Sequence, residues 1–441
     1  MRFLDRLHHE LPGRAVLDYF RGGWSAHRLL RQLLRLRFGA GTPRATVLDF
    51  GSGYGRTTRF LVREHPRERI TVADVMADAV AFQRDAFGVA GQVSTADAGA
   101  LSIEGRFDVV VAISVFTHFN PADVPAWLER LHALLAPGGI LIFTVNDERT
   151  LLPGRKLDDS GAWFEPASEN ERLDPRRYGS TWVDESFVAR ALGQATGSPP
   201  AYRRVPRGLW ASQDVYVVAA PGGDPLPDPL SIALEPAGVL EEATVAPDGA
   251  LALRGWAIMP DGEPVARVEA AIDGKTAGAT VPDRARADVA ARFAASPERA
   301  AVALPAWSLV LAPPPPQPGM GQPSSPTKSS GGFPLGAVLT LTAISRDGVD
   351  FTLQHESIAD TLVYLRSESL HRRIAELEHE VRRRDLELGR HKEIQGALWW
   401  GVRNRHFELK ELKSTLELSR FWKLRNRWWA VKRRLLDRGS D

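Results

Sequence analysis

The chain has 441 residues, 44% of them hydrophobic and 25% charged, with a formal net charge of +2. That length is too great for one ordinary core, and the composition is that of folded protein rather than a disordered chain. Cysteine is absent, which excludes disulfides, thiolate metal sites, iron–sulfur clusters and cysteine nucleophiles and fits a reducing cytoplasm.

Met1–Glu10 is charged throughout, unlike a secretory signal. No stretch approaches the roughly 18 uninterrupted apolar residues of a membrane-spanning helix. Residues 1–42 read as helix, with Leu29, Leu30, Leu33, Leu34 and Leu36 recurring between arginines at close to helical spacing. Within a domain expected over 43–220, residues 45–147 alternate strand and helix signals, as a βαβ sheet requires. Strands are expected at Thr46–Phe50, Ile70–Ala73, Gln92–Thr95, Phe107–Ile113, Ile140–Val145 and Val215–Ala219. The run Phe107–Ile113 is nearly all apolar, so it should be buried on both faces. An amphipathic helix at Trp127–Leu135 should stop at Pro137-Gly138-Gly139, and another should start near Asp184 with that residue as its cap. Residues 148–176 are polar and irregular, the pattern of a lid or binding loop.

Residues 221–229 are a Pro/Gly/Asp linker. Residues 230–357 then change character: short runs such as Leu251–Ile258 and Val268–Gly274 are separated by Pro-Asp-Gly and Asp-Gly turns, which predicts a small β-sandwich. The proline-rich stretch 312–332 cannot bury a core and reads as a disordered insertion between strands. From residue 360 to 418 a 4-3 spacing runs through Leu370, Ile374, Leu377, Val381, Leu388, Leu398, Val402, Leu409, Leu412 and Leu416, the pattern of a long helix or coiled coil that would pair copies of the chain. The tail 419–441 interleaves Phe421, Trp422, Trp428 and Trp429 with basic residues. Arg420 to Arg438 holds eight Lys/Arg against one Asp, so this segment carries +7 and the remainder sums to −5. On a helix the aromatic and basic residues separate onto two faces, which predicts an interfacial helix on an anionic membrane surface through 419–438; a partner helix is the alternative, and nucleic acid is not expected.

Chemistry concentrates at Val47-Leu48-Asp49-Phe50-Gly51-Ser52-Gly53-Tyr54-Gly55-Arg56. A strand ends, the chain turns on glycines, and a helix should start at about Thr57, at the carboxyl end of a strand where open α/β sheets bind ligands. The dinucleotide fingerprint would place its third glycine at 56; here the glycines fall at 51, 53 and 55. A ligand without pyrophosphate, such as S-adenosylmethionine, is the alternative. Asp74, with Val75 beside it, ends the second strand and could accept both ribose hydroxyl hydrogens. Asp97, with Ala98 beside it, could accept from an adenine amino group, and Ser114 lies near the end of the fourth strand, facing the same cleft.

VLDFGSGYGR, the acid at the end of the second strand, FDVVVAISVFTHF and LLAPGGILIFTV together resemble the class I methyltransferase family, over roughly residues 40–220. The resemblance implies a Rossmann-like α/β fold with a seven-stranded sheet and S-adenosylmethionine as cofactor. It implies that Asp49 and the backbone of Gly51, Ser52, Gly53 and Gly55 hold the methionine end, that Asp74 binds ribose and that Asp97 lies at adenine. A hydroxyl acceptor also needs a base. His118 stands where one could sit; a role in packing or capping the following loop is the other reading, and Glu148, Asp158 and Asp159 are rivals. Gln213 and Asp214 could line the acceptor side. No metal site is expected. Residues 230–357 resemble an immunoglobulin-like module attached to bacterial glycan enzymes, and the tail resembles that of glycan-assembly enzymes. Together these imply a saccharide or lipid-linked glycan as acceptor, methylated on oxygen at the inner face of the membrane. A small-metabolite methyltransferase and a non-catalytic cofactor-binding scaffold are the other readings.

Overall fold

The structure is a computed structural model and describes residues 12–151, 154–166, 173–197, 201–221, 225–293, 303–313, 333–334, 336–362, 365–366 and 410. The first strand, β1 (Val47–Phe50), is buried along its whole length. It pairs in parallel with β2 (Ile70–Asp74) on one side and β4 (Phe107–Ala112) on the other, and β3 (Ala90–Val93) extends the sheet beyond β2. On the far side, β5 (Leu135–Asp147) joins β4 in parallel. β9 (Gln213–Ala219) runs antiparallel to β5, and β8 (Tyr202–Leu209) antiparallel to β9.

These strands are apolar at consecutive positions because both faces are covered. Leu48, Val110, Leu141, Phe143, Tyr216 and Val218 point into one core, and Val47, Val109, Val111, Ile140, Ile142 and Val217 into the other, the two-residue period of a strand. Each such side chain contributes roughly 1.5–3 kcal/mol on burial. The first core is closed by α4 (Val124–Ala133), whose Trp127 stacks on Phe119 with ring centroids 4.8 Å apart. The second is closed by α1 (Pro12–Phe38), through Leu29, Leu30, Leu33 and Leu34. Gly22-Gly23 would ordinarily weaken the middle of a helix. A Cβ at Gly23 would overlap the carbonyl oxygen of Arg56, so glycine is what lets α1 lie against the end of the glycine loop.

The expected seven strands are present, but the sheet has nine. Part of the segment expected as a loose lid folds instead as a strand, β6 (Ala162–Glu165), antiparallel to β7 (Ser180–Val183). β7 is added to the overhanging end of β5 through Asn146↔Trp182 and Asp147↔Val183. Pro137-Gly138-Gly139 does not end the preceding helix, which stops at Ala133; it lies inside β5, at a register shift opposite Phe107 and Val109. The helix after the glycine loop, α2 (Thr58–Leu61), is a single turn, followed across β2 by the longer α3 (Ala77–Phe87). The helix expected at Asp184 is α5 (Glu185–Thr196), with Asp184 Oδ1 accepting from the Phe187 N–H at 2.7 Å.

Residues 237–357 form two antiparallel sheets. One holds β10 (Ala237–Val245), β11 (Leu251–Ile258) and β14 (Ala306–Leu311); the other holds β12 (Arg267–Ile272), β13 (Lys275–Thr280), β15 (Val338–Ile344) and β16 (Asp350–Ser357). A short helix, α6 (Ala287–Phe293), had no clear signal in the sequence. Residues 314–332 of the proline-rich stretch, nearly all of 360–418 and the whole of 419–441 lie outside the described residues.

These sheets are fastened to the nine-stranded sheet. The buried Arg207 guanidinium donates to Asp147 Oδ2 at 2.8 Å, to the Pro260 carbonyl at 2.6 and 2.9 Å and to the Phe293 carbonyl at 3.0 Å. Helix α1 adds Arg21 to the Thr352 carbonyl at 2.7 Å and Arg28 to the Asp350 carbonyl at 3.2 Å.

Candidate functional site

The glycine loop turns sharply because Gly51, Gly53 and Gly55 all take positive φ, between 53° and 72°. Gly51 N–H and Ser52 N–H both donate to the Ala73 carbonyl, which fastens the loop to the end of β2. Asp74 sits at that strand end and accepts from Gly53 N–H at 2.7 Å and Met76 N–H at 2.9 Å, one bond to each oxygen. A carboxylate has about four lone-pair sites, so acceptor capacity remains for a hydroxyl beside these backbone donors. Val75 is half-buried beside it. Burial raises the Asp74 pKa, and the backbone N–H groups of Met76 and Gly53 act against that.

Asp49 lies behind the loop, buried, with Thr58 Oγ1 donating to it at 2.6 Å. Burial pushes its pKa from 3.8 up to about 6, opposed by the Thr58 hydrogen bond. Between those values the folded chain holds a proton that the unfolded chain releases, so stability falls as pH rises through the window. At about 1.36 kcal/mol per pKa unit the full cost above pH 6 is about 3 kcal/mol. Urea unfolding between pH 4 and 7 should therefore show wild type losing stability relative to Asp49→Asn; parallel curves would show that Asp49 does not titrate this way.

Two supporting residues carried no sequence signal. Gln83 on α3 is buried and donates to Ser52 Oγ at 2.8 Å and to the Gly53 carbonyl at 2.7 Å. Tyr54 OH donates to Asp78 at 2.8 Å. Asp97 caps its own turn through Gly99 N–H at 3.1 Å, is 59% exposed, and lies 3.8 Å from Arg177; Ala98 beside it is buried.

The carboxyl ends of β4 and β5 meet the amino end of the antiparallel β9 in a polar network. Ser114 has φ of 57°, costly for a residue with a Cβ and tolerated where the surroundings dictate it. Its N–H donates to Thr144 Oγ1 at 2.7 Å, Thr144 donates to Gln213 Oε1 at 2.7 Å, and Gln213 Nε2 donates to Ser114 Oγ at 3.0 Å. Gln213 thus joins the cleft. Asp214 points the opposite way: it is buried, ion-paired with Arg204 at 2.7 Å, and accepts from Arg207 N–H at 2.7 Å, because neighbouring residues of a strand face opposite sides.

His118 stacks on Tyr178 with centroids 5.0 Å apart, and its Nδ1 lies 2.8 Å from the Gly179 carbonyl. A carbonyl only accepts, so Nδ1 carries the proton and Nε2 the lone pair. Burial lowers the His118 pKa, which favours this neutral form. Asp158 is committed to its turn, accepting from Ser160 and Ala162. Glu148 opens the turn after β5, and its pKa is raised by burial.

Residues 48–141 match the family model for a methyltransferase domain. A malonyl-[acyl-carrier protein] O-methyltransferase of Geobacter sulfurreducens is 30% identical over 140 residues, 31% of this chain and 52% of that protein. One from Acetivibrio thermocellus is 28% identical over 102 residues, 23% of this chain and 35% of that protein. The chain therefore spans about half or less of these relatives' length. Among solved structures, 1,6-didemethyltoxoflavin-N1-methyltransferase of Burkholderia thailandensis is similar at 24% identity, over 48% of this chain and 88% of that one, with a TM-score of 0.32. The glycine loop, the acid at the end of β2 and the matched segment agree: the chain carries a class I methyltransferase domain, with S-adenosylmethionine as its cofactor.

Proposed function

We propose that the chain is an S-adenosylmethionine-dependent O-methyltransferase whose acceptor is a hydroxyl of a saccharide or lipid-linked glycan at the cytoplasmic membrane face. The observation that carries the cofactor half is the cradle, in which the Asp74 carboxylate is held by backbone N–H groups beside a loop of three positive-φ glycines. The acceptor half is supported by the resemblance of residues 230–357 to the immunoglobulin-like module of glycan enzymes and by the basic aromatic tail.

Bound S-adenosylmethionine supplies an already activated methyl group on a sulfonium. The chain's task is alignment: the loop and Asp74 fix the donor, while the Ser114–Thr144–Gln213 network sets the floor on which an acceptor oxygen would rest. The hydroxyl proton needs a destination, and His118 Nε2 is the base of this reading. The names of the two curated relatives suggest the rival acceptor, a carboxyl group on a carrier-bound chain. A carboxylate has no proton to lose, and this separates the readings. His118→Ala should lower turnover about 10²–10⁴-fold with S-adenosylmethionine affinity unchanged if the acceptor is a hydroxyl. Unimpaired turnover would remove His118 and favour the carboxyl acceptor; absence of S-adenosylmethionine binding by wild type would overturn the enzyme reading itself.

The tail is proposed to hold the enzyme on anionic lipid, and residues 360–418 to pair two copies. The full chain should sediment with anionic vesicles and release as salt is raised. A chain ending at Leu418 should stay in solution, and equal sedimentation of the two would end the membrane reading.

A further inference from the structure

A cavity of about 240 Å³ lies away from the glycine loop, where α1, the turn between β8 and β9, the 233–239 segment and the two smaller sheets converge. Its walls are both aromatic and cationic. Trp210, Trp256 and Phe351 supply flat apolar surface, and Arg28 and Arg292 supply charge. Arg28 is engaged, 3.5 Å from both Glu235 and Asp350. Glu235 is 17% exposed and partnered by Arg28 and Ser25, and burial raises its pKa. Arg207, which also lines the cavity, is spent on Asp147 and two carbonyls.

Arg292 differs. Its guanidinium lies 5.4 Å from the centroid of its neighbour Phe293. Among the described residues it has no hydrogen bond and no ion pair; Asp147, an acid whose charge acts on it, is already bonded to Arg207. A guanidinium fork presents parallel N–H donors matched to two oxygens of a carboxylate or phosphate. Beside the Phe293 ring and at the exposed edge of the cavity, it offers those donors to an anion.

The wall itself is held in an unusual conformation. Arg207, Trp210 and Ala211 all take positive φ, between 49° and 53°. Each costs on the order of 1–3 kcal/mol and persists only when its surroundings dictate it. Trp210 is fixed from outside the cavity, by Nε1 donating to the Gly22 carbonyl at 3.0 Å and by the Arg56 guanidinium 4.5 Å over its ring.

We propose that this cavity is a second ligand site, separate from methyl transfer, for a small organic anion: a phosphomonoester or carboxylate whose ring or apolar body packs against Trp256 and Phe351 while its oxygens take the Arg292 fork. The proposal requires no cofactor, so it stands or falls independently of the methyltransferase reading. The probes are phenyl phosphate, benzoate and benzyl alcohol, titrated calorimetrically into the full chain without S-adenosylmethionine. Phenyl phosphate or benzoate should bind saturably, at least about tenfold more tightly than benzyl alcohol, and whichever anion binds better tells phosphate from carboxylate. Arg292→Gln should lose about tenfold or more in anion affinity while keeping its S-adenosylmethionine affinity. Val239→Trp, at the lip, should block the anion by filling the space and leaving every charge in place. No saturable binding of either anion to wild type, or wild-type binding by either variant, would overturn the proposal.

Discussion

Gly51→Ala is expected to lower S-adenosylmethionine affinity about 100-fold, the cost of displacing a positioned group by roughly 1 Å. The residue sits at φ of +69°, and a Cβ there would overlap Val115. The Gly51 and Ser52 N–H groups hold the loop to Ala73, so any shift of the loop away from Val115 strains those bonds. Left-handed strain adds about 1–2 kcal/mol for any residue with a Cβ. Gly39→Ala is the matched control. Gly39 has φ of +52°, nothing lies within 4 Å of its would-be Cβ, and it stands in the connection before β1. That substitution should cost similar stability and leave cofactor affinity alone. Calorimetric titration of the three proteins decides: a Gly51→Ala protein that binds like Gly39→Ala would show that the loop does not hold the cofactor.

The second large effect is on stability. Arg207→Met should destabilise the fold by about 3–5 kcal/mol, because it strands a buried carboxylate. Asp147 is 1% exposed, and besides Arg207 it accepts from the Arg149 N–H at 3.0 Å. The Pro260 and Phe293 carbonyls would lose their donor as well. At 2–4 °C per kcal/mol the melting temperature should fall by roughly 6–20 °C. Arg207→Met combined with Asp147→Leu should recover part of the loss, since removing both charges leaves no buried ion uncompensated. The recovery stays incomplete because the two carbonyls remain unpaired. Thermal unfolding of the two variants is the check, and a double variant no more stable than the single one would assign the loss to packing rather than charge.

The parts of this protein legible in its sequence are those fixed by local rules. Strands β1, β4 and β5 are continuous apolar runs, and the loop after β1 carries its glycines in sequence. Asp184 announces a helix because capping acts within three residues. What escaped was set by distant contacts. Residues 148–176 look polar and irregular, yet Ala162–Glu165 within them is a strand, paired with β7, to which the overhanging end of β5 offers Asn146 and Asp147 as an edge. Pro137-Gly138-Gly139 reads as a helix stop; in the fold the Gly138 carbonyl accepts from Arg37 on α1 at 2.7 Å, about a hundred residues away in sequence. Gln83 supports the glycine loop from across a strand, and nothing near it distinguishes it from a surface glutamine. Asp214 was grouped with Gln213 because they are neighbours, yet strand alternation sends one to the cleft and the other to a buried arginine.

Helix α1 has a consequence for how the protein is made. It leaves the ribosome well before β16, yet the groups it is built to meet include the carbonyls of Asp350 and Thr352, 322 and 331 positions later. At 5–20 residues per second that interval is roughly 15–65 s. Through it the leucine face of α1 can settle on the early strands, while Arg21 and Arg28 wait for a sheet that does not yet exist. Completion of the cover over the cofactor loop is thus tied to the arrival of β16, and a chain stalled before that strand would present a half-docked apolar helix to chaperones and proteases.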